Sequence, residues 1–383
     1  MKTDSKPKIL SFSHYGTLYG ANRSLLTLLT ATRDQIDWWV ICLEDGDFVK
    51  ELTNNGIEFR VVTFANDIHK VPRFPQWFHS IKRFAFNIAA ALYIAALVAK
   101  KRIDLVHTNS SVIFFGALVA FFSGRKHLWH IREFVYEDYH LKYNFGKSSF
   151  RFWANKAARI ICISKSIAAK RVIEAGVSAP HVVIYNGLVD ALPANAPRPW
   201  NETPLAGIVG IIDPAKGQMT AVKAVNTLLK KGTSIKLEIV GEIGDPAYYE
   251  EIASYIEEQG IGEYVSFAGF TKDIQSIYRR LDVLLMCSPN EALGRVTIEG
   301  MMYGVPVVAF DSAGTSEIVQ HEQTGLLYRS DERSLAIELD RLLNDQSLYA
   351  GIAERAREHV FQNFTISKYR DNFLREVESC RKN

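Results

Sequence analysis

Cysteine is scarce in this sequence, and none of it is paired. Cys42, Cys162, Cys287 and Cys380 lie far apart, with no two at the spacing of a zinc knuckle or a disulfide framework. That excludes a small disulfide-stapled scaffold and suits a reducing cytoplasm. The opening residues MKTDSKPKILSFSH lack the long apolar core of a signal peptide, so no export is expected. No run of glycines followed by Lys and Ser or Thr occurs, which argues against a nucleoside triphosphatase loop. No cluster of His, Cys and carboxylates has metal-ligand spacing, so no metal is expected. The apolar run Phe84 to Ala99, interrupted only by Asn87, is 16 residues long. A bilayer span needs about 20. The run is therefore expected as a buried core helix, with contact from the membrane surface as the alternative. Acidic residues are missing from two long stretches, Ile68 to Ile103 and Tyr139 to Ile173, both rich in bases and aromatics. Such segments suit an anionic surface or acceptor, or simply a solvated face.

What is present fits a soluble globular chain of two or three domains: 383 residues, 48% hydrophobic and 23% charged. The net charge of +3 makes no case for nucleic acid as a partner. Its distribution is uneven, with 25 Lys and Arg against 15 Asp and Glu in residues 1–197, and 20 against 27 in residues 198–383.

Short Val- and Ile-rich runs separated by helix-length segments give the pattern of βαβ units with parallel sheets. The first set is Ile9 to Ser13, Trp38 to Leu43, Phe59 to Phe64, Leu105 to Thr108, His127 to Ile131, Ile160 to Ser164 and Val182 to Tyr185. The second is Leu205 to Ile211, Lys236 to Val240, Val265 to Ala268, Val283 to Cys287, Val305 to Phe310 and Gly325 to Tyr328, with helices only thereafter. Between them ALPANAPRPWNETP, with four prolines, reads as a linker. The expected fold class is α/β: two doubly wound, Rossmann-like domains, 1–197 and the remainder, facing across a cleft where ligands sit beyond the strand ends.

Three strand–loop–helix segments carry candidate chemistry. In DVLLMCSPNEALGRVTIEGMMYGVPVVAF, Gly294 permits close backbone approach, and a helix starting near Arg295 aims free amides at an anion such as a diphosphate. Glu299, one turn inside, suits a vicinal diol, and Glu291, on the loop, suits hydroxyls of a second sugar. A capping loop with two solvent-facing glutamates is the bland alternative. In GIVGIIDPAKGQMTAVKAV, Lys216 and Gly217 open a helix. A cation at that end opposes the helix dipole unless an anion joins it. In SFSHYGTLYGANRSLLTLL, Gly16 and Gly20 suit phosphate or sugar contact, or a plain turn. Finally, KHLWHIREF places His130 near a strand end, where it either meets a sugar and steers a proton or is a satisfied core histidine.

Taken together, VSFAGF, LDVLLMCSPNEALGRVTIEGMMYGVPVVAF, AGTSEIV, TGLLY, KGQ, ICISKSI before YNG, HTNS and HIREF resemble, in order and nearly end to end, glycosyltransferase family 4, retaining enzymes of the GT-B fold. The resemblance implies Glu291 and His130 at the reacting donor sugar. It implies a donor-binding set of Gly20, Lys216, Gly217, Leu293, Gly294, Arg295, Thr297 and Glu299, with Glu299 on the ribose and Lys216 on the diphosphate. It divides the remainder into a donor domain, 198–363, and a helix, 364–383, packing back on the acceptor-side domain.

The implied activity is transfer of a sugar from a nucleotide diphosphate sugar to an acceptor hydroxyl with retained configuration, in surface polysaccharide or glycolipid synthesis. No cofactor or metal is implied, the nucleotide sugar being a co-substrate. The acceptor is a sugar or lipid-linked sugar. The enzyme is expected in the cytoplasm, with attachment to the anionic inner face of the membrane as an option. A GT-B-like epimerase and a non-catalytic sugar or nucleotide binder stand as alternatives. Two departures stand out. Ile211 occupies the place of a family arginine, with Arg295 or Arg23 as candidate substitutes, and Tyr19 replaces the first of a glycine pair.

Overall fold

The computed structural model describes residues 6–70, 77–193 and 201–382. The chain forms two compact units, Met1–Leu188 with Ile366–Asn383, and Val189–Thr365. The boundary thus falls before the proline-rich segment, not at residue 197. Val189 already belongs to the second unit because its amide donates to the Phe364 carbonyl at 3.4 Å and it bridges Thr365. The final helix accordingly joins the first unit at Ile366. Residues 194–200 of the expected linker lie outside the described residues.

The first unit contains β1 (Lys8–Ser13), β2 (Asp37–Cys42), β3 (Glu58–Val61), β4 (Ile68–Lys70), β5 (Leu105–Thr108), β6 (Lys126–Ile131), β7 (Leu141–Tyr143), β8 (Arg159–Cys162) and β9 (His181–Val183). Seven of these form one parallel sheet in the order β3-β2-β1-β5-β6-β8-β9. Parallel strands need helical crossovers, which cover both faces, so β1, β2 and β6 are buried at every position but the first. Register places Ser11 opposite His107 in β5, and His107 opposite Leu128 in β6. One core packs Leu25, Leu28, Val40, Leu105 and Ile161 against Tyr369, Phe373 and Val377 of the C-terminal helix Ile366–Lys382.

The second unit contains β10 (Leu205–Val209), β11 (Lys236–Val240), β12 (Val265–Gly269), β13 (Val283–Met286), β14 (Val307–Phe310) and β15 (Leu326–Tyr328). They form a parallel sheet ordered β12-β11-β10-β13-β14-β15. The reversal of direction between β10 and β13 is a topological switch point, where such sheets take ligands.

Every strand expected from the sequence is present, several of them shorter. The antiparallel pair β4 and β7 was not expected, since three residues are too few for a periodic signal. It joins the two acid-free stretches, with Ile68 opposite Tyr143 and His69 opposite Lys142. Asp67 pins its start by accepting from the Phe114 amide at 2.6 Å, and burial raises its carboxyl to about 7.

The expectation of a buried helix at Phe84 to Ala99 is corrected. The helix Trp77–Lys101 is long and apolar enough to cross a membrane, yet only 28% of its most apolar window is buried. It lies on the outside of the unit, so one face packs and the other does not. Ala91, Ile94 and Val98 are covered, and the buried Asn87 both donates to the Ala65 carbonyl and accepts from its amide.

Candidate functional site

In the second unit the structure brings together residues from both segments singled out in the sequence. Asp213 caps a short turn, Pro214–Lys216, and Gly217 then takes a left-handed conformation (φ 71°) before the helix Gln218–Lys230. A Cβ on Gly217 would stand 2.6 Å from the Cys287 carbonyl oxygen. Glycine is therefore required here for both backbone angle and space. Gly217→Ala is expected to lower stability by about 2 kcal/mol or more, from the left-handed backbone and the clash together. Thermal unfolding tests this, and an unchanged midpoint would sink the steric argument.

The loop after β13 is held in the same way. Gly294 (φ 89°) precedes the helix Arg295–Met302, and the Gly314 amide donates to the Glu291 carbonyl at 2.8 Å. Lys216 Nζ donates to Glu291 Oε2 at 2.8 Å. The cation at the helix start thus already has an anionic neighbour from the chain itself. Arg295 Nε donates to Glu299 Oε1 at 2.8 Å, and the Tyr278 hydroxyl donates to Oε2 at 3.1 Å. These contacts fix the orientation of the Glu299 carboxylate.

Lys216, Glu291 and Arg295 line one pocket with Gly210, Met286 and Cys287 at the carboxyl ends of β10 and β13. Burial pushes the Cys287 thiol up to about 12, so it is an apolar wall and no nucleophile at neutral pH. Leu293 and Thr297 are buried beside the loop. Ile211 is 40% exposed, with its side chain over Gly244, and supplies no charge. Of its two candidate substitutes, Arg295 lies in this pocket, whereas Arg23 belongs to the other unit.

Sequence reasoning missed Tyr278, which stacks on Tyr303 at 5.7 Å between ring centroids. Nothing local marks it, because its role depends on a carboxylate 21 residues away.

The first unit holds Gly20 and His130. Gly20 opens the helix Gly20–Ala31, and a Cβ there would meet nothing within 4 Å, so the fold does not require glycine. Gly16 differs, since its Cβ would lie 2.2 Å from the Asp45 carbonyl oxygen.

Of the two readings of His130, contact with a sugar or a place in the core, the structure shows a buried ring. It lies within β6, 0% exposed, with its ring 5.7 Å from that of His107 and 6.3 Å from that of Tyr369. Burial first, and then the neighbouring Arg132 charge, hold it neutral, well below the usual histidine range. The reason is the C-terminal helix, whose Tyr369 and Phe373 cover that side of the sheet.

Arg132, two residues on, is the centre of a buried polar cluster. It donates to Asn109 Oδ1 (2.7 Å), Asn186 Oδ1 (2.7 Å) and the Tyr369 hydroxyl (2.9 Å), and its Nη2 lies 3.3 Å from His130 Nδ1. Next to it, Glu133 Oε1 accepts from the Ser110 hydroxyl (2.7 Å), the Ser111 amide (2.5 Å) and the Ser111 hydroxyl (2.9 Å). The HTNS and HIREF motifs thus form one scaffold at the ends of β5 and β6. Among the described residues, no three His, Cys, Asp or Glu side chains gather to hold a metal ion.

Comparison with known proteins agrees with this architecture. The model of Glycosyltransferase Family 4 matches residues 19–191, and that of Glycosyl transferases group 1 matches residues 195–359. An uncharacterized glycosyltransferase of Methanocaldococcus jannaschii is 25% identical over 332 residues, 83% of this chain and 88% of its own. A lipopolysaccharide core biosynthesis glycosyltransferase of Rhizobium meliloti is 26% identical over 164 residues, 43% of this chain and 48% of its own. Three further curated relatives are matched over only 40%, 59% and 41% of their length. The crystal structure of Anabaena HepE in complex with UDP and glucose superimposes with a TM-score of 0.81 at 24% identity, covering 97% of this chain and 100% of that one. Two matched domain models in tandem, on two Rossmann-like units with a returning helix, place the chain in the GT-B glycosyltransferases, with a family 4 domain followed by a group 1 domain.

Proposed function

We propose that the protein is a glycosyltransferase that moves a sugar from a nucleoside diphosphate sugar to an acceptor hydroxyl, in the assembly of a surface polysaccharide or glycolipid. The observation that carries this reading is the pocket at the switch point of the second sheet, where Lys216, Glu291 and Arg295 converge beside a helix N-terminus. A diphosphate would be held by Lys216, Arg295 and the amides after Gly294, and Gly217, Leu293 and Thr297 shape the two loops. Glu299 would take the ribose diol, and Glu291 the donor sugar. Gly20 is proposed on the donor side from the first unit, whereas His130, closed off by the C-terminal helix, is left out of the reacting set. The leaving diphosphate would be stabilised by fixed charge and dipoles.

Retention of configuration is proposed from the family resemblance. HepE, bound to UDP and glucose, suggests a uridine nucleotide as the first donor to try.

Thermal shift with nucleoside diphosphates and their sugars is the direct test, since a ligand at about 100 times its Kd stabilises by about 2.7 kcal/mol. At least one nucleotide should raise the melting midpoint, and transfer should depend on an acceptor and persist in excess chelator. No shift with any nucleotide would overturn the reading. Turnover without an acceptor would favour an epimerase, and restoration only by a divalent cation would remove the metal-free mechanism.

A further inference from the structure

The outer helices of the first unit carry an unusual surface. Trp77–Lys101, Phe115–Ser123 and Gly146–Ala154 contain no Asp or Glu, although the chain has 42, and they hold Lys82, Arg83, Lys100, Lys147 and Arg151, besides Lys101, which is paired with Glu58 of β3. They lie side by side. Phe121 of the second touches Trp153 of the third at 6.0 Å between centroids, and Phe84 of the first touches Phe145, at the start of the third, at 5.5 Å. The β4–β7 pair joins the two acid-free stretches to which the first and third of these helices belong.

Large apolar side chains stand open on this layer: Phe86 (48% exposed), Leu92 (51%), Phe121 (57%) and Phe152 (55%). On the long helix, Ala85, Phe86, Ala89, Leu92 and Ala96 are exposed at helical spacing, so the apolar surface is one stripe and not scattered residues. Lys82 and Arg83 flank its start, and Lys100 its end. Lys156 lies over the rings of Phe152 (4.8 Å) and Phe121 (5.5 Å), which adds a cation to the aromatic edge.

We propose that this layer docks the protein on an anionic lipid leaflet, with the apolar stripe entering the headgroup boundary and the bases meeting lipid phosphates. Apolar and aromatic side chains ringed by bases, with acids excluded, are what an anionic interface attracts. The long helix lies on the membrane and does not cross it. Although the whole helix is long enough to span a bilayer, its uncharged run between Arg83 and Lys100 is only about 24 Å long at 1.5 Å per residue, short of the roughly 30 Å hydrocarbon core. Asn87, the fourth residue of that run, is tied to the Ala65 backbone by both its amide nitrogen and its oxygen.

Docking there extends the acceptor side of the proposed function toward lipid-linked acceptors. It is measured without donor, so the two readings fail separately.

The experiment is co-sedimentation of the full chain with vesicles of phosphatidylcholine alone and of phosphatidylcholine with phosphatidylglycerol. Binding is expected only to the anionic vesicles, and weakened in about 1 M salt, where the Debye length is about 3 Å. Phe86→Asp with Leu92→Asp, and separately Lys82→Glu with Arg83→Glu, should each reduce partitioning roughly tenfold or more. All four positions are exposed, so the unfolding midpoint and any nucleotide-induced thermal shift should stay as in the parent, which shows that the fold and the pocket are intact. Absent binding, equal binding to both vesicle types, or anionic binding unaffected by either pair of substitutions would overturn the proposal. So would a dimer that dissolves with Phe86→Asp and Leu92→Asp while vesicle binding is nil, since the stripe would then serve a second copy of the chain.

Discussion

As pH falls from 6.5 toward 5 the first unit should lose roughly 3 kcal/mol of stability per pH unit. His107, His127 and His130 are buried and held neutral, His127 down to about 3 and the other two well below the usual range, by burial and, for His107 and His130, by Arg132. Below pH 6.5 the unfolded chain binds protons on these rings that the folded chain refuses, so their contribution is full above 6.5 and is lost as pH falls. Asp67 works in the opposite sense. Its carboxyl is raised to about 7, so the folded state already carries a proton that the unfolded state takes up only near 3.8. Three rings against one carboxyl leave a net difference of about two protons, each worth about 1.4 kcal/mol per pH unit. His14, lowered to about 3 by burial and then by Arg132, acts in the same sense, so two protons is the lower figure.

Urea unfolding followed by tryptophan fluorescence would read this directly, because Trp38, Trp39, Trp129 and Trp153 are all in the first unit. A midpoint that holds constant from pH 6.5 to 5 would show that the rings are not kept neutral.

At the proposed donor site, the sign of each effect separates the two carboxylates. Lys216→Ala removes a charge-assisted contact of about 1.5–3 kcal/mol, a drop of roughly 10- to 150-fold in nucleoside diphosphate affinity. It also leaves Glu291 without its cation beside the incoming phosphates, which pushes the loss toward the upper end. Glu299→Ala should weaken the same ligand by a similar factor, since Arg295 and Tyr278 lose their acceptor along with the ribose.

Glu291→Gln should behave differently. Lys216 is released from its partner, so the bare diphosphate binds as well as before or better, whereas transfer falls by about a hundredfold as a fixed contact to the sugar goes. Calorimetry with the diphosphate and with its sugar, beside an assay of transfer, distinguishes the three variants. Equal losses for diphosphate and sugar nucleotide in Glu291→Gln would return Glu291 to the role of a mere loop cap.

Much of this protein was legible in the sequence because its signals are local. Val- and Ile-rich runs at βαβ spacing fix two parallel sheets, since a strand buried on both faces must be apolar throughout. The glycines of the two pocket loops announce themselves because left-handed backbone and close approach exclude other residues, and Gly217 and Gly294 both take positive φ in the structure.

The pairings were not legible. Lys216 meets Glu291 across 75 residues, and Arg132 meets Tyr369 across 237, so neither contact exists until the sheet and the final helix are in place. The same helix removes His130 from solvent, which no strand-end position could reveal. A helix apolar on nearly all sides, such as Trp77–Lys101, reads as core because periodicity cannot say which face lacks a neighbour. Only its place on the outside of the first unit, together with the three-residue ribbon that joins the acid-free stretches, decided that its apolar face stays open. Local conformation follows from the residues themselves, whereas burial and charge pairing follow from what the rest of the chain brings alongside them.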